Sequence, residues 1–374
     1  MNQASALMRI ALFGCVLLLL PLQTLGAQAA AEHKLRPANA RVNAEFTRIV
    51  GLRELPDGRV LVSDAGDKQL RLVDFAQNSA VQVGRAGRGP AEYASLSPLY
   101  AIGSDSTLMS DGGNGRWLIL ENDRIAGTVP PDNPAVRASR GAFRGIDKNG
   151  RVLTTTPPPI RNGVQTLGKG DSNAVLIVTA SGDVDTVAKV QMPSLVLKST
   201  VDGAGKITSM DVRPAPFAVG DESLLFPDGW LVLARLDPYR VEWRTPDGRW
   251  IRGAPIPFSP TPVDARERKA YLERRSNASG AAPASPPDDS WPATVPPFPS
   301  SPLLAMPNGN VLILRTPTAD HPGNRHDEID RQGRLVAWIE LPATRRIVGA
   351  GPRGGYIVVT DDDGIQHLER HPWP

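Results

Sequence analysis

One pattern constrains this chain more than any other. A tight turn followed at once by a short apolar, β-branched run occurs six times. The turns are Asp57-Gly58, Ser104-Asp105, Asn149-Gly150, Asp228-Gly229, Asn308-Gly309 and Arg353-Gly354. Behind them come Val60 to Val62, Thr107 to Met109, Val152 to Leu153, Trp230 to Leu233, Val311 to Leu314 and Tyr356 to Val359. Glycine supplies the positive φ such turns need, and β-branched residues favour the pleated conformation. Successive turns start 47, 45, 79, 80 and 45 residues apart. A period of about 40–50 residues with four short strands is that of a propeller blade. The two long spacings each hold one blade plus an insertion. Six turns therefore predict six blades, inside the usual range of about 4–8.

The stretch from Leu55 to Tyr93 shows the unit most clearly: turn, strand, loop, strand, turn, strand, which is a β-meander. Third strands are expected at Arg71 to Phe75, Trp117 to Glu121, Val175 to Thr179, Val241 to Arg244, Glu328 to Asp330 and Ile365 to Leu368. Turns at Gly182-Asp183, Asp247-Gly248 and Gln332-Gly333 lead to fourth strands. The last blade runs out of chain. Its fourth strand is expected from about Leu35 to Asn43, so that pairing the two ends closes the ring and removes the sheet edges. The expected fold is thus all-β: a six-bladed β-propeller with four-stranded antiparallel blades and one short helix in an inter-blade insertion.

The segment VLVSDAGDKQLRLVDF, followed by VGRAGRGPAEY, resembles an NHL-like repeat of bacterial six-bladed propellers. In that family a strand ends in Asp, a short Gly/Asn loop and an apolar strand follow, and a GxxGxGPxEF-like link comes next. Tyr93 stands where the family has Phe, and Ala91 where it has Gly. A second copy, LMSDGGNGRWLIL, keeps Asp111, Asn114 and Arg116. The close match covers about residues 46–121. The resemblance implies the propeller fold. The family holds binding modules and some enzymes, so it implies no single activity.

The N-terminus reads as an export signal. Arg9 precedes an apolar run from Ile10 to Leu22, and Ala27-Gln28-Ala29 is an A-x-A cleavage site. Residues 1–29 are expected to be the signal peptide and 30–374 the exported propeller, periplasmic or extracellular and without membrane insertion after cleavage. Cleavage would remove Cys15, the only cysteine, leaving no disulfide and no thiolate nucleophile. A formal net charge of +3, with no basic stripe, argues against a nucleic-acid partner. A helix is expected from Thr261, as cap, and Pro262 to near Arg275, either as a charged surface face with no partner or with a binding role. The Pro/Ala/Ser-rich insertion 276–301 follows, with Trp291 and Phe298 expected to be pinned to the propeller. Leu195, Val196 and Leu197 suggest an extra hairpin in the 191–221 connection.

In a four-stranded meander, the links between strands two and three and those between blades leave on one face of the ring. The insertions at 157–173, 191–221, 253–301 and 316–326 are all of these two kinds, so they decorate one face. Long loops on a rigid scaffold are a common way to build a site. The second-strand ends Asp64, Asp111, Thr155, Arg235, Arg315 and Asp361 ring that face, and Tyr239 and Trp243 follow Arg235. Three carboxylates suit a hard cation such as calcium. Two arginines in the same ring suit a polar or anionic organic ligand instead. The expected ligand-binding residues are Asp64, Asp111, Arg235, Tyr239, Arg315 and Asp361. No G-x-S-x-G, P-loop or dinucleotide fingerprint appears, and no catalytic residue is expected. The leading expectation is non-catalytic binding of a ligand or protein partner. The alternatives are a calcium-dependent hydrolase or lactonase at the central channel, and a structural assembly subunit.

Overall fold

The computed structural model describes residues 30–138, 143–156, 160–161, 164–165, 172–203, 207–279 and 285–373. The expected signal peptide, its cleavage site and Cys15 lie outside the described residues, as does most of the loop opening at Pro157. The repeats form six antiparallel blades. Blade 1 is Ile49–Glu54, Val60–Asp64, Gln69–Asp74 and Ser79–Gln82. Blade 2 is Leu99–Ala101, Ser106–Asp111, Arg116–Glu121 and Arg124–Val129. Blade 4 is Glu222–Leu225, Leu231–Arg235, Arg240–Arg244 and Trp250–Arg252. Blade 5 is Leu303–Ala305, Val311–Leu314, Asn324–Ile329 and Leu335–Leu341, with Ala31–Glu32 added in parallel at its outer edge.

Blade 3 has three full strands, Val152–Thr155, Ser172–Val178 and Val184–Gln191. Its inner strand is reduced to a bridge between Ile146 and Val152, flanked by N–H···O bonds linking Arg144 and Gly145 to Leu153. Gly145 has φ +125°, and a Cβ there would sit 2.5 Å from the Leu225 carbonyl oxygen of blade 4. Only glycine lets the two backbones approach this closely.

Blade 6 holds Arg345–Gly351, Gly354–Thr360 and Gln366–His371, and its fourth strand comes from the other end of the chain. That strand is Ala40–Phe46, later than the expected Leu35 to Asn43, in register Ala40↔Arg370 and Phe46↔Gln366. The register follows from burial. Val42 and Phe46 lie in one cluster with Tyr356, Val358 and Leu368, so a one-residue slip would turn them to solvent.

Each blade-to-blade seam has its own hydrophobic cluster. Val60 and Val62 pack toward blade 6 with Val358, whereas Leu61 packs toward blade 2 with Met109 and Leu118. Leu108 and Val152 fill the seam between blades 2 and 3, and Leu153 and Leu233 the next. Val232 and Trp243 meet Val311 and Ile313 between blades 4 and 5, and Leu312 meets Ile357 between blades 5 and 6. A second strand is thus covered on both sides. This is why the signature reads as an unbroken apolar run rather than an alternating one.

The expected hairpin in the 191–221 connection is present as Leu195–Val201 and Ile207–Pro214. The helix runs Ala265–Ser279, starting later than the expected Thr261. Asp264 is the true cap and accepts the Glu267 N–H at 2.9 Å. Thr261 and Pro262 instead belong to a bridge with the returning chain, in which the Thr261 carbonyl accepts the Val295 N–H at 2.8 Å.

Candidate functional site

The second-strand ends are mainly structural clamps. Asp64 is fully buried. Its Oδ1 accepts the N–H groups of Arg48 (2.8 Å) and Gly66 (3.0 Å), and its Oδ2 accepts that of Thr47 (2.9 Å). Asp111 repeats this in blade 2. Its Oδ1 accepts the N–H groups of Ala94 and Ser95 at 3.0 Å, and its Oδ2 accepts Asn114 Nδ2 at 2.6 Å. In both blades the carboxylate ties the link entering the inner strand to the end of the second strand.

Blade 4 reverses the polarity. There the carboxylate, Asp221, sits on the entering link and accepts the Leu236 N–H and Arg235 Nη1, each at 3.0 Å. Arg235 also donates Nη2 to Glu242 at 2.9 Å. Burial pushes the Glu242 carboxyl up, but hydrogen bonds and charge from Arg235 and Arg240 more than offset this and hold it below its ordinary value.

In blade 5, Arg315 Nη1 pairs with buried Asp327 at 2.8 Å, and its guanidinium lies 4.9 Å from the ring centres of both Tyr239 and Phe258. The Tyr239 hydroxyl donates to the same carboxylate oxygen at 3.3 Å. Burial, reinforced by the Asp327 charge, pushes the Tyr239 phenol far above its ordinary range, so it stays a proton donor. Asp361 is exposed and shapes a hairpin turn. It accepts the Ile365 N–H at 2.9 Å and contacts His367 Nε2 at 3.0 Å. Thr155 is half-buried at its strand end.

Among the six expected binding residues, only Tyr239 and Arg315 are therefore brought into contact. A calcium ion takes about 6–8 oxygen ligands, yet the oxygens of Asp64 and Asp111 already accept N–H donors. Among the described residues no three His, Cys, Asp or Glu side chains group as a metal site. The donor set does not fit a hard cation.

The decorated face carries a different feature. Three of its insertions converge on a cleft of about 370 Å³. The 191–221 link supplies Pro214, Ala215, Phe217 and Ala218; the helix supplies Tyr271, Arg274 and Arg275. The returning chain adds Pro296, Pro299 and Ser300, and the blade 5 loop adds Thr316 and Pro317.

The helix is held from below. Glu267 is buried and accepts the Ala319 N–H at 2.7 Å, and Arg266 pairs with Asp320 at 2.6 Å. Glu267, Tyr271 and Arg274 recur at helical spacing and so share one face. Tyr271 packs on Phe217 with ring centres 4.5 Å apart and meets the edge of Trp291 at 5.4 Å. Phe298 is fully buried against Tyr239. Phe298 is thus pinned to the propeller as expected, whereas Trp291 packs on the helix and on the 191–221 link.

Two polar groups of the cleft stand out. Arg274 Nη2 and Thr316 Oγ1 are shielded from solvent and have no hydrogen-bond partner. Burial pushes the Arg274 guanidinium below its ordinary value, against weaker upward pulls from Glu267, Tyr271 and Glu273. The sequence places the helix but leaves open whether it is a charged surface face or has a binding role. The available signal was Tyr271 one turn after Glu267, with Arg274 on the same face and a proline-rich return able to cover it.

No family model matches the sequence, and no curated protein does. Solved structures do. The calcium-binding protein regucalcin from Agrobacterium tumefaciens aligns at 13% identity with a TM-score of 0.41, covering 92% of this chain and 97% of that one. Catalytically inactive virginiamycin B lyase from Staphylococcus aureus, with quinupristin, aligns at 11% identity and a TM-score of 0.43, covering 88% and 97%. A member of the duf4221 family from Bacteroides vulgatus aligns at 7% identity and a TM-score of 0.45, covering 89% and 96%. None of these likenesses bears on activity. The propeller stands on the strand pairing of the chain itself. No helix of the described residues is long and apolar enough to cross a membrane.

Proposed function

We propose that this chain is an exported, non-catalytic binding propeller whose ligand site is the cleft on the loop-decorated face. One observation carries the reading: three insertions, far apart in sequence, close around one aromatic-walled opening lined by Arg274 and Thr316, whose shielded Nη2 and Oγ1 atoms have no hydrogen-bond partner. A buried polar group without a partner costs about 1–3 kcal/mol, and more when charged. Such a cost is sustained where a ligand supplies the missing partner. The cleft volume falls within the range of about 300–1,000 Å³ typical of small-molecule sites. Among the described residues its lining contains hydroxyls and two arginines but no His, Asp or Glu, which favours binding over nucleophilic catalysis.

The assembly-subunit alternative draws less support. Among the described residues the large apolar side chains that are exposed, Val81, Val184 and Trp250, lie on the outermost strands of three different blades. They form no patch on the decorated face. The test is a ligand-detected NMR screen of small apolar fragments against the whole chain and against Ala218→Trp, which fills the cleft. Fragments are expected to bind the first and not the second. Equal binding to both would move the site elsewhere.

A further inference from the structure

The chemistry of the cleft points further. We infer that its ligand is a small monocarboxylate with an apolar, ring-sized body, its two carboxylate oxygens received by Arg274 and Thr316. This rests on the reading above that the cleft is a ligand site, and it adds the class of ligand.

The charge comes first. Among the described residues Arg274 makes no ion pair, and Arg275 is already engaged with the Tyr271 hydroxyl (3.3 Å) and ring. Glu267 and Glu273 pull on Arg274 without bonding to it, so a single contacting anion matches its open Nη2 position. The Thr316 hydroxyl offers a second donor, so a two-oxygen head matches the two groups without partners. A dianion such as a phosphate ester would bring an extra charge near Glu267. That residue lies two turns earlier on the same helix face and is itself buried, with Oε2 unpartnered.

The rest of the wall sets the body of the ligand. Pro214, Pro296, Pro299 and Pro317 offer no side-chain donor or acceptor, and Phe217 and Tyr271 give two ring surfaces. Such a wall takes up a flat apolar group beside the polar end formed by Arg274 and Thr316. Arg recognition combined with aromatic stacking favours an aryl or alicyclic acid.

The experiment is isothermal titration of the whole chain at pH 7.5 with 2-naphthoate, 2-naphthamide and 2-naphthyl phosphate. Arg274→Gln, Arg274→Lys and Thr316→Val are titrated alongside, each first checked for an unchanged melting temperature. Naphthoate is expected to bind at least about tenfold more tightly than naphthamide, as one lost charge-assisted hydrogen bond implies. Arg274→Gln should remove that difference, Arg274→Lys should retain part of it, and Thr316→Val should weaken naphthoate a few-fold. Equal binding of acid and amide, unchanged in Arg274→Gln, would overturn the carboxylate inference while leaving the cleft as a site. Tighter binding of the phosphate would overturn the single-charge argument. If none of the three binds, and the fragment screen also finds no difference for Ala218→Trp, the cleft reading fails and this inference with it.

Discussion

Asp64 and Asp111 do one job in two blades. Each spends its carboxylate on backbone N–H groups of the link that enters its own blade. Asp64→Asn should therefore cost about 1–3 kcal/mol in urea unfolding, because one N–H is left facing an amide N–H₂. Calcium or EDTA should leave the melting temperature of the parent unchanged; a calcium shift lost in Asp64→Asn would revive the metal reading. His326 gives a second test. It is 3% exposed beside Asp327, and burial pushes it down to about 4, with Asn324 and Asp327 pulling the other way and Arg346 adding to the fall. The unfolded chain takes up this proton near 6.5 and the folded chain does not until about 4. Stability from this group is thus full above pH 6.5 and declines as pH falls through that window, by up to about 3 kcal/mol. Urea unfolding from pH 7 to pH 5 should show a slope that His326→Leu reduces. An equal slope in both would mean that His326 accepts its proton in the folded state.

At the scale of elements, the turn-plus-run signature was legible because it reflects a hard constraint. A second strand is buried on both sides, so it must be apolar throughout, and its turn needs positive φ, as at Gly58 (+92°) and Gly229 (+86°). Helix placement was legible to within a few residues. Its start was not, because Thr261 and Pro262 fit a cap pattern locally but are drawn into a bridge with Thr294. Asp264→Ala should cost about 1 kcal/mol of helix stability, read as faster hydrogen exchange over 265–275 with the blades unaffected. Of the charged ring expected from the sequence, the structure brings only Arg315 into contact with Tyr239. Arg235 and Arg315 find partners in Asp221, Glu242 and Asp327, which lie 14, 7 and 12 residues away in sequence. Nothing in the strand pattern marks those pairings. The cleft was least legible, since Phe217, Tyr271 and Thr316 meet only after three links fold onto one face.

For the whole molecule, the seam between the chain ends decides cooperativity. The N-terminal segment crosses two blades: Ala31–Glu32 extends blade 5 and Ala40–Phe46 completes blade 6. Phe46 is 1% exposed in the seam with blade 1. Phe46→Ala should cost about 3–5 kcal/mol and lower a single unfolding transition. A separate early transition confined to blade 6 would show that the ring does not unfold as one unit. The rigid ring in turn holds the three insertions in place, and their common opening is where function is proposed. The most direct test is hydrogen–deuterium exchange of the whole chain with and without saturating 2-naphthoate. Protection should appear together in 212–219, 270–276, 296–300 and 316–317, with the tight-turn face unchanged. Unaltered exchange in those four segments, or protection on the opposite face, would contradict a ligand site in the cleft.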